Sequence, residues 1–339
     1  MSNKKRYHDK EGIKTHSLIL HLKDFHEMAS CPGCKSSEFD KLGEINKELA
    51  INDNIISIAV PKNYSLWKCR SCDIVFRSYI TTSETELRLQ DCWKNRNGEF
   101  HRWEPKRISG YFKLKKRIDK ISAEVFKGQQ RVSLLDIGIG EGKFIKLFEG
   151  SYTTYGMDLN PIEGIDYSKV VNGGMIYGDI EHERYQMYKS KFHIITAFDV
   201  FEHLWHPRRA IKSLYAMLKK NGLLIIETGN INSLPAKITR YRNWWYVPIL
   251  EHKIFWSTKT LPIFLENNGF KIVSVRKKTH KGGVSFNLIP LIKYVIYFFS
   301  PKLYYLLMAH FKKKPFPPSL PTIPWKDHML VVAQKTGGH

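Results

Sequence analysis

Two rhythms of apolar positions run along the second half of the chain. Between residues 130 and 280, short apolar runs alternate with stretches in which apolar residues recur every third or fourth position. The runs at 132–135 (VSLL), 192–198 (FHIITAF) and 223–228 (LLIIET) are apolar on nearly every residue, as strands buried on both faces of a parallel sheet must be. Further strands are predicted at 154–158 and 177–180, and two late ones at 271–277 and 328–335. Phe144, Ile145 and Phe148 fall at helical spacing. So do Ala210, Ile211, Leu214, Tyr215 and Leu218 after Pro207, with Asn221-Gly222 as the expected stop. Strands and helices alternating in this way predict an α/β fold built on a doubly wound, mostly parallel, seven-stranded sheet.

The junctions between these elements carry the candidate chemistry. The first strand ends at Asp136, and Gly138, Gly140 and Gly142 follow at alternate positions. Strand, glycine-rich turn and helix is the layout that lets a nucleotide-like ligand lie against backbone. A carboxylate heading that turn repels a pyrophosphate and attracts an ammonium, so the expected ligand carries an amino acid. Asp158 ends the second strand and is placed to bind ribose hydroxyls. Asp179 ends the third, where it can accept from an adenine amino group or cap a helix. Glu202-His203 follows the fourth strand at its carboxyl end, where ligands sit in open α/β sheets. His203 is expected as a base or acceptor-positioning group, or else as a helix cap. His252 lies among Trp244, Trp245, Tyr246, Phe255 and Trp256, in a loop that either closes over the acceptor or simply packs.

The first half reads differently. Cys31-Pro-Gly-Cys34 and Cys69-Arg-Ser-Cys72 are two pairs of converging thiols, and four thiolates complete a tetrahedral zinc site with no open position. Such a zinc holds a fold and performs no chemistry. The expected organisation is a basic tail over 1–29, a zinc ribbon over 30–80, a helical linker over 81–131 and the cofactor domain over 132–339. Cys92 stands alone as a packed or surface thiol. Helices are predicted at 84–90 and 105–127, the second with Arg107 and Tyr111 as residues that can reach the cofactor or as part of an ordinary amphipathic face. The formal net charge of +22 in 339 residues favours anionic partners, or reflects a lysine-rich solvated surface. Free cysteines and the lack of a secretory signal point to the cytoplasm.

Taken in order, LLDIGIGEGKF, YGMDLNP, GDI, HIITAFDVFEHL and LKKNGLLIIETGN resemble the class I S-adenosylmethionine-dependent methyltransferases, whose fold is Rossmann-like. The resemblance covers about residues 130–280 and the last strand. It implies that Asp136 and the glycines hold the methionyl end of the cofactor, and that Asp158 and Leu159 hold the ribose. By the same resemblance Asp179 and Ile180 hold the adenine, and Phe198 lines the far side. The FDVFEHL and EHKIFWSTKTL segments resemble small-molecule enzymes of sugar, polysaccharide and quinone biosynthesis, some with an amino-terminal four-cysteine zinc domain. The implied reaction is methylation of a hydroxyl on a sugar or similar intermediate, nucleotide- or lipid-linked. Glu202, His203 and His252 are then the candidate catalytic residues. An RNA methyltransferase using the ribbon and basic helix, and a non-catalytic cofactor-fold subunit, are the alternatives. An apolar insertion at 280–326 separates the last two strands. Its 287–314 stretch reads either as an interfacial membrane contact ending in Lys312-Lys313-Lys314 or as a packed helical pair.

Overall fold

A computed structural model describes residues 6–8, 14–45, 48–51, 54–59, 64–94, 104–182, 185–241, 244–247, 249–279 and 326–337, with isolated positions between 292 and 307. The amino-terminal strands are β1 (Arg6–His8), β2 (Lys14–His21), β3 (Phe25–Glu27), β4 (Phe39–Glu44), β5 (Glu48–Ile51), β6 (Asn54–Ala59), β7 (Ser65–Cys69), β8 (Val75–Arg77) and β9 (Tyr79–Thr81). Helices α1 (Ser83–Lys94) and α2 (Glu104–Val125) follow. Then come β10 (Val132–Ile137), β11 (Tyr152–Asp158), β12 (Gly174–Tyr177), β13 (Phe192–Phe198), α3 (Pro207–Met217), β14 (Leu218–Gly229) and α4 (Leu234–Ile238). The chain closes with β15 (Ile254–Phe255), α5 (Thr260–Glu266), β16 (Phe270–Lys278) and β17 (His328–Lys335).

The central sheet has seven strands in the order β12-β11-β10-β13-β14-β17-β16. Strands β10 to β14 run parallel, while β17 is antiparallel to both its neighbours. The mostly parallel, seven-stranded sheet is therefore as expected. Its middle strands are apolar because helices and loops cover both faces: Leu134, Leu135, Ile194, Ile195, Leu224 and Ile226 are fully buried. Because β17 is antiparallel, its first residue lies at the carboxyl end of the parallel strands, with His328 opposite Gly229.

Two local expectations change. Phe144, Ile145 and Phe148 form a single 3₁₀ turn over Ile145–Phe148 and not a full helix, since Glu149-Gly150 turns the chain back towards β11. Asn221-Gly222 does not stop α3: the helix ends at Met217, and Asn221, with φ 61°, lies within β14, next to the irregularity in its pairing with β13. Helix α2 packs as an ordinary amphipathic helix, with Leu114 and Ile118 buried in one cluster with Leu134, Phe148 and Ile194. Strands β2 and β3 also fall in the segment that reads as a basic tail. Cys92 and Arg107 have side chains outside the described residues, as does most of the 280–326 insertion.

The cysteine unit is built around the antiparallel strands β4, β7 and β8, and its fourth strand is β15, from the far side of the sequence. Among the described residues, no helix is long and apolar enough to cross a membrane.

Candidate functional site

The cofactor side forms where β10, β11 and β12 end together. Gly138, Gly140 and Gly142 all have positive φ, at 69°, 52° and 72°. At Gly142 a Cβ would lie 2.1 Å from Val170 Cγ1, so a side chain there is blocked by shape as well as by backbone conformation. Asp136 is buried in the sheet and accepts a 2.6 Å hydrogen bond from Thr196 Oγ1. Burial pushes its carboxyl up to about 7, against the pull of the threonine. Asp158 accepts from the Gly140 amide at 3.2 Å and from the Asn160 amide at 3.0 Å, which ties the glycine turn to the end of β11. Leu159 beside it is exposed. Asp179 accepts from the Glu181 amide at 2.8 Å, so it does cap the following turn, and Ile180 is buried next to it. Phe198 closes the side of the turn edge-on to Phe144, with ring centroids 4.8 Å apart. Tyr111 of α2 packs edge-on to Phe144 at 5.4 Å.

The second half of the site forms where β13 and β14 end. Glu202 is fully buried and accepts from Thr228 Oγ1 at 2.8 Å and from the Tyr246 hydroxyl. Burial, reinforced by Asp199, pushes its carboxyl up to about 7. His203 Nδ1 donates to the Glu251 carbonyl at 3.1 Å, and His252 Nδ1 to the Tyr246 carbonyl at 2.9 Å. Their rings lie 4.7 Å apart. Burial holds His203 down to about 3 and His252 well below the usual histidine range, so both imidazoles are neutral at pH 7. Glu202-His203 and His252, proposed from two separate segments, thus come together.

What holds them is the loop between β14 and β15. Trp244, Tyr246, Val247, Leu250 and Phe255 are buried in one cluster with Leu20, Tyr64, Leu66 and Val75 of the amino-terminal unit. The aromatic loop is accordingly a packed wall, with His252 on its inner side. Arg77, fully buried at the end of β8, donates to the carbonyls of His252 at 2.5 Å, Ile249 at 2.7 Å and Val247, and to the Tyr64 hydroxyl at 2.7 Å. Lys253 pairs with Glu86 of α1 at 2.6 Å and donates to the His203 carbonyl at 2.9 Å.

Two residues at the same sheet end escaped sequence reasoning. Asp199 has φ 53°, and its Oδ1 lies 4.0 Å from His328 Nε2. His328 is buried, with Nδ1 3.3 Å from Asp327, and its ring is parallel to Trp245 and edge-on to Tyr246. Burial alone would lower its pKa, but Asp327 and then Asp199 outweigh this and raise it. Asp199 was readable as the polar residue closing an apolar strand. His328 was not, because only the antiparallel direction of β17 carries it to this end of the sheet.

The four cysteines also converge. Cys31, Cys34, Cys69 and Cys72 have sulfurs mutually within 4.8 Å, with Cys31 to Cys72 at 3.5 Å and Cys34 to Cys69 at 3.4 Å. The hydrogen bond from Cys72 pulls the Cys31 thiol down to about 5.

A sequence profile of the family described as "Methyltransferase domain" matches residues 105–275. No curated protein matches the chain. Solved structures similar to it include a SAM-dependent methyltransferase from Archaeoglobus fulgidus, 20% identical over 70% of this chain and 100% of that one, with a TM-score of 0.42. Another, from Thermotoga maritima, is 17% identical over 70% and 95%, with a TM-score of 0.43. A third, from Methanosarcina mazei, is 16% identical over 61% and 94%, at 0.38.

Proposed function

The chain belongs to the methyltransferase domain family, and from that premise we propose that it moves the methyl group of S-adenosylmethionine to a hydroxyl of a sugar or related small biosynthetic intermediate, carried on a nucleotide or lipid. The observation that carries this reading is the polar wall of Glu202, His203, Tyr246, His252 and His328, with the half-exposed Asp199 at its edge and Val200 against Gly138 of the glycine turn. A site for a small hydroxylated molecule needs such convergent polar groups on an apolar frame.

The residues at the turn fit the cofactor. Asp136 is a buried carboxylate raised by desolvation, and an ammonium supplies the positive charge that would ionise it. Asp158 keeps lone pairs for ribose hydroxyls, and the Gly142–Val170 contact keeps the turn bare for a ligand's approach. When bound, S-adenosylmethionine supplies a methyl group on a sulfonium, activated for in-line displacement. The chain's own residues do the rest. Phe198 and Phe144 wall the cofactor side. Glu202, His203 and His252 position the acceptor, with both histidine Nε2 atoms offering lone pairs, because each Nδ1–H is given to a carbonyl. His328, flanked by Asp327 and Asp199, accepts the acceptor's proton; an imidazole whose pKa those carboxylates raise is a stronger base than the depressed pair. The four cysteines hold a structural zinc in this reading, since four sulfurs leave no open position.

The test is transfer of labelled methyl from S-adenosylmethionine into a fractionated extract of the source cells. Label is expected in nucleotide-sugar, lipid or polysaccharide fractions, with activity nearly independent of salt. Label in RNA, lost steeply as salt rises, would overturn the acceptor class and move function to the exposed lysines of α2, Lys113, Lys116 and Lys120.

A further inference from the structure

Glu202, His203 and His252 do more than line the acceptor wall. A carboxylate oxygen of Glu202 and one ring nitrogen from each histidine lie within 4.8 Å of one another. Both histidines are oriented alike: each Nδ1 faces a backbone carbonyl, at 3.1 Å from His203 to Glu251 and at 2.9 Å from His252 to Tyr246. A carbonyl only accepts, so Nδ1 carries the proton in each ring and Nε2 carries the lone pair. Ligating histidines in metal centres are fixed in this manner, with the second nitrogen donating to a carbonyl or carboxylate. The carboxylate is oriented too, by the Thr228 and Tyr246 hydroxyls. The cations nearest the cluster are engaged elsewhere. Lys253 pairs with Glu86 at 2.6 Å, and the Arg77 guanidinium is bound by three carbonyls and the Tyr64 hydroxyl.

We propose that Glu202, His203 and His252 bind a divalent transition-metal cation of the zinc type. Two imidazoles and one carboxylate are a ligand set of open metal sites, which keep a position for water or a substrate oxygen. The ion is distinct from the one assigned to the four cysteines. Its chemistry differs as well, because nitrogen and oxygen ligands leave it able to take up an acceptor hydroxyl. The role of that open position rests on the methyl-transfer reading, while the binding itself does not.

The experiment is a cobalt titration of the full-length protein after metal removal, followed by absorption spectroscopy and metal analysis. Cobalt at the cysteines gives intense thiolate charge-transfer absorption, and cobalt at the proposed site gives only weak ligand-field bands. The expected result is a second bound ion without thiolate absorption, its affinity falling at least tenfold in His252→Ala and in Glu202→Gln. The cysteine site should fill normally in both variants, which also reports that they fold. A wild-type protein that saturates with one all-thiolate ion overturns the proposal whether or not any variant folds, as does a second ion that both variants retain. Methyl transfer without a second ion defeats this inference alone. A second ion without methyl transfer defeats the functional reading alone.

Discussion

Asp136 sits in the sheet with a threonine hydroxyl and no cation beside it among the described residues. Its carboxyl is raised from the ordinary 3.8 to about 7, so the folded protein binds a proton there that the unfolded chain has already released. The sign follows directly. The stabilising contribution of the protonated form is complete below the unfolded value and disappears as pH rises through about 7. A cofactor ammonium favours the ionised form, so below about 7 binding must expel the proton. Cofactor affinity, measured calorimetrically at constant salt, is therefore expected to rise with pH towards about 7 and then level off. Asp136→Asn should flatten that profile and weaken binding at least tenfold, about 1.4 kcal/mol. A variant that keeps the pH slope would assign it to another group. At this scale much of the candidate site was legible. Asp136, Asp158, Asp179 and the glycines stand out in the sequence because each closes an apolar strand or opens a turn. Asp199 and His328 were missed because their meaning depends on which end of the sheet their strands point to.

Among the elements, β8 has an influence out of proportion to its three residues. It pairs with β7 on one side and β15 on the other, and Arg77 at its end binds the carbonyls that bracket the aromatic wall. An arginine this deeply buried is expensive to desolvate, and its worth depends on keeping all its partners. Arg77→Met removes the charge along with the hydrogen bonds, leaving the carbonyls of Val247 and His252 without the arginine, while Ile249 keeps the His252 amide. The expected outcome is a loss of about 3 kcal/mol in denaturant unfolding. Faster amide exchange over residues 244–255 should accompany it, with little change in β10 to β13. Unchanged exchange in the loop would show that aromatic packing alone holds the wall. The cysteine spacing announced that four thiols converge, and the aromatic run announced a loop that packs. Nothing local in either stretch says that they form one cluster, because the joining contacts span some 175 residues of sequence.

For the molecule as a whole, the four-cysteine cluster and the aromatic wall share one framework. Cys69 ends β7, Cys72 lies in the turn to β8, and β8 carries Arg77 to the wall. With the proposed zinc at the cysteines, a strong chelator is expected to lower the thermal midpoint and to reduce acceptor binding before cofactor binding, since the glycine turn lies on β10 and β11. Fluorescence-monitored melting and separate titrations of the two ligands check this, and equal loss of both would point to global unfolding. The pairing of β15 with β8 also bears on synthesis. A ribosome releases residues 39–77 long before residues 254–255, so the cysteine sheet spends that interval with one edge unpaired. The unit can collect its thiols early but can be completed only when the methyltransferase-family half arrives, and an amino-terminal fragment cut before residue 254 would carry that open edge permanently.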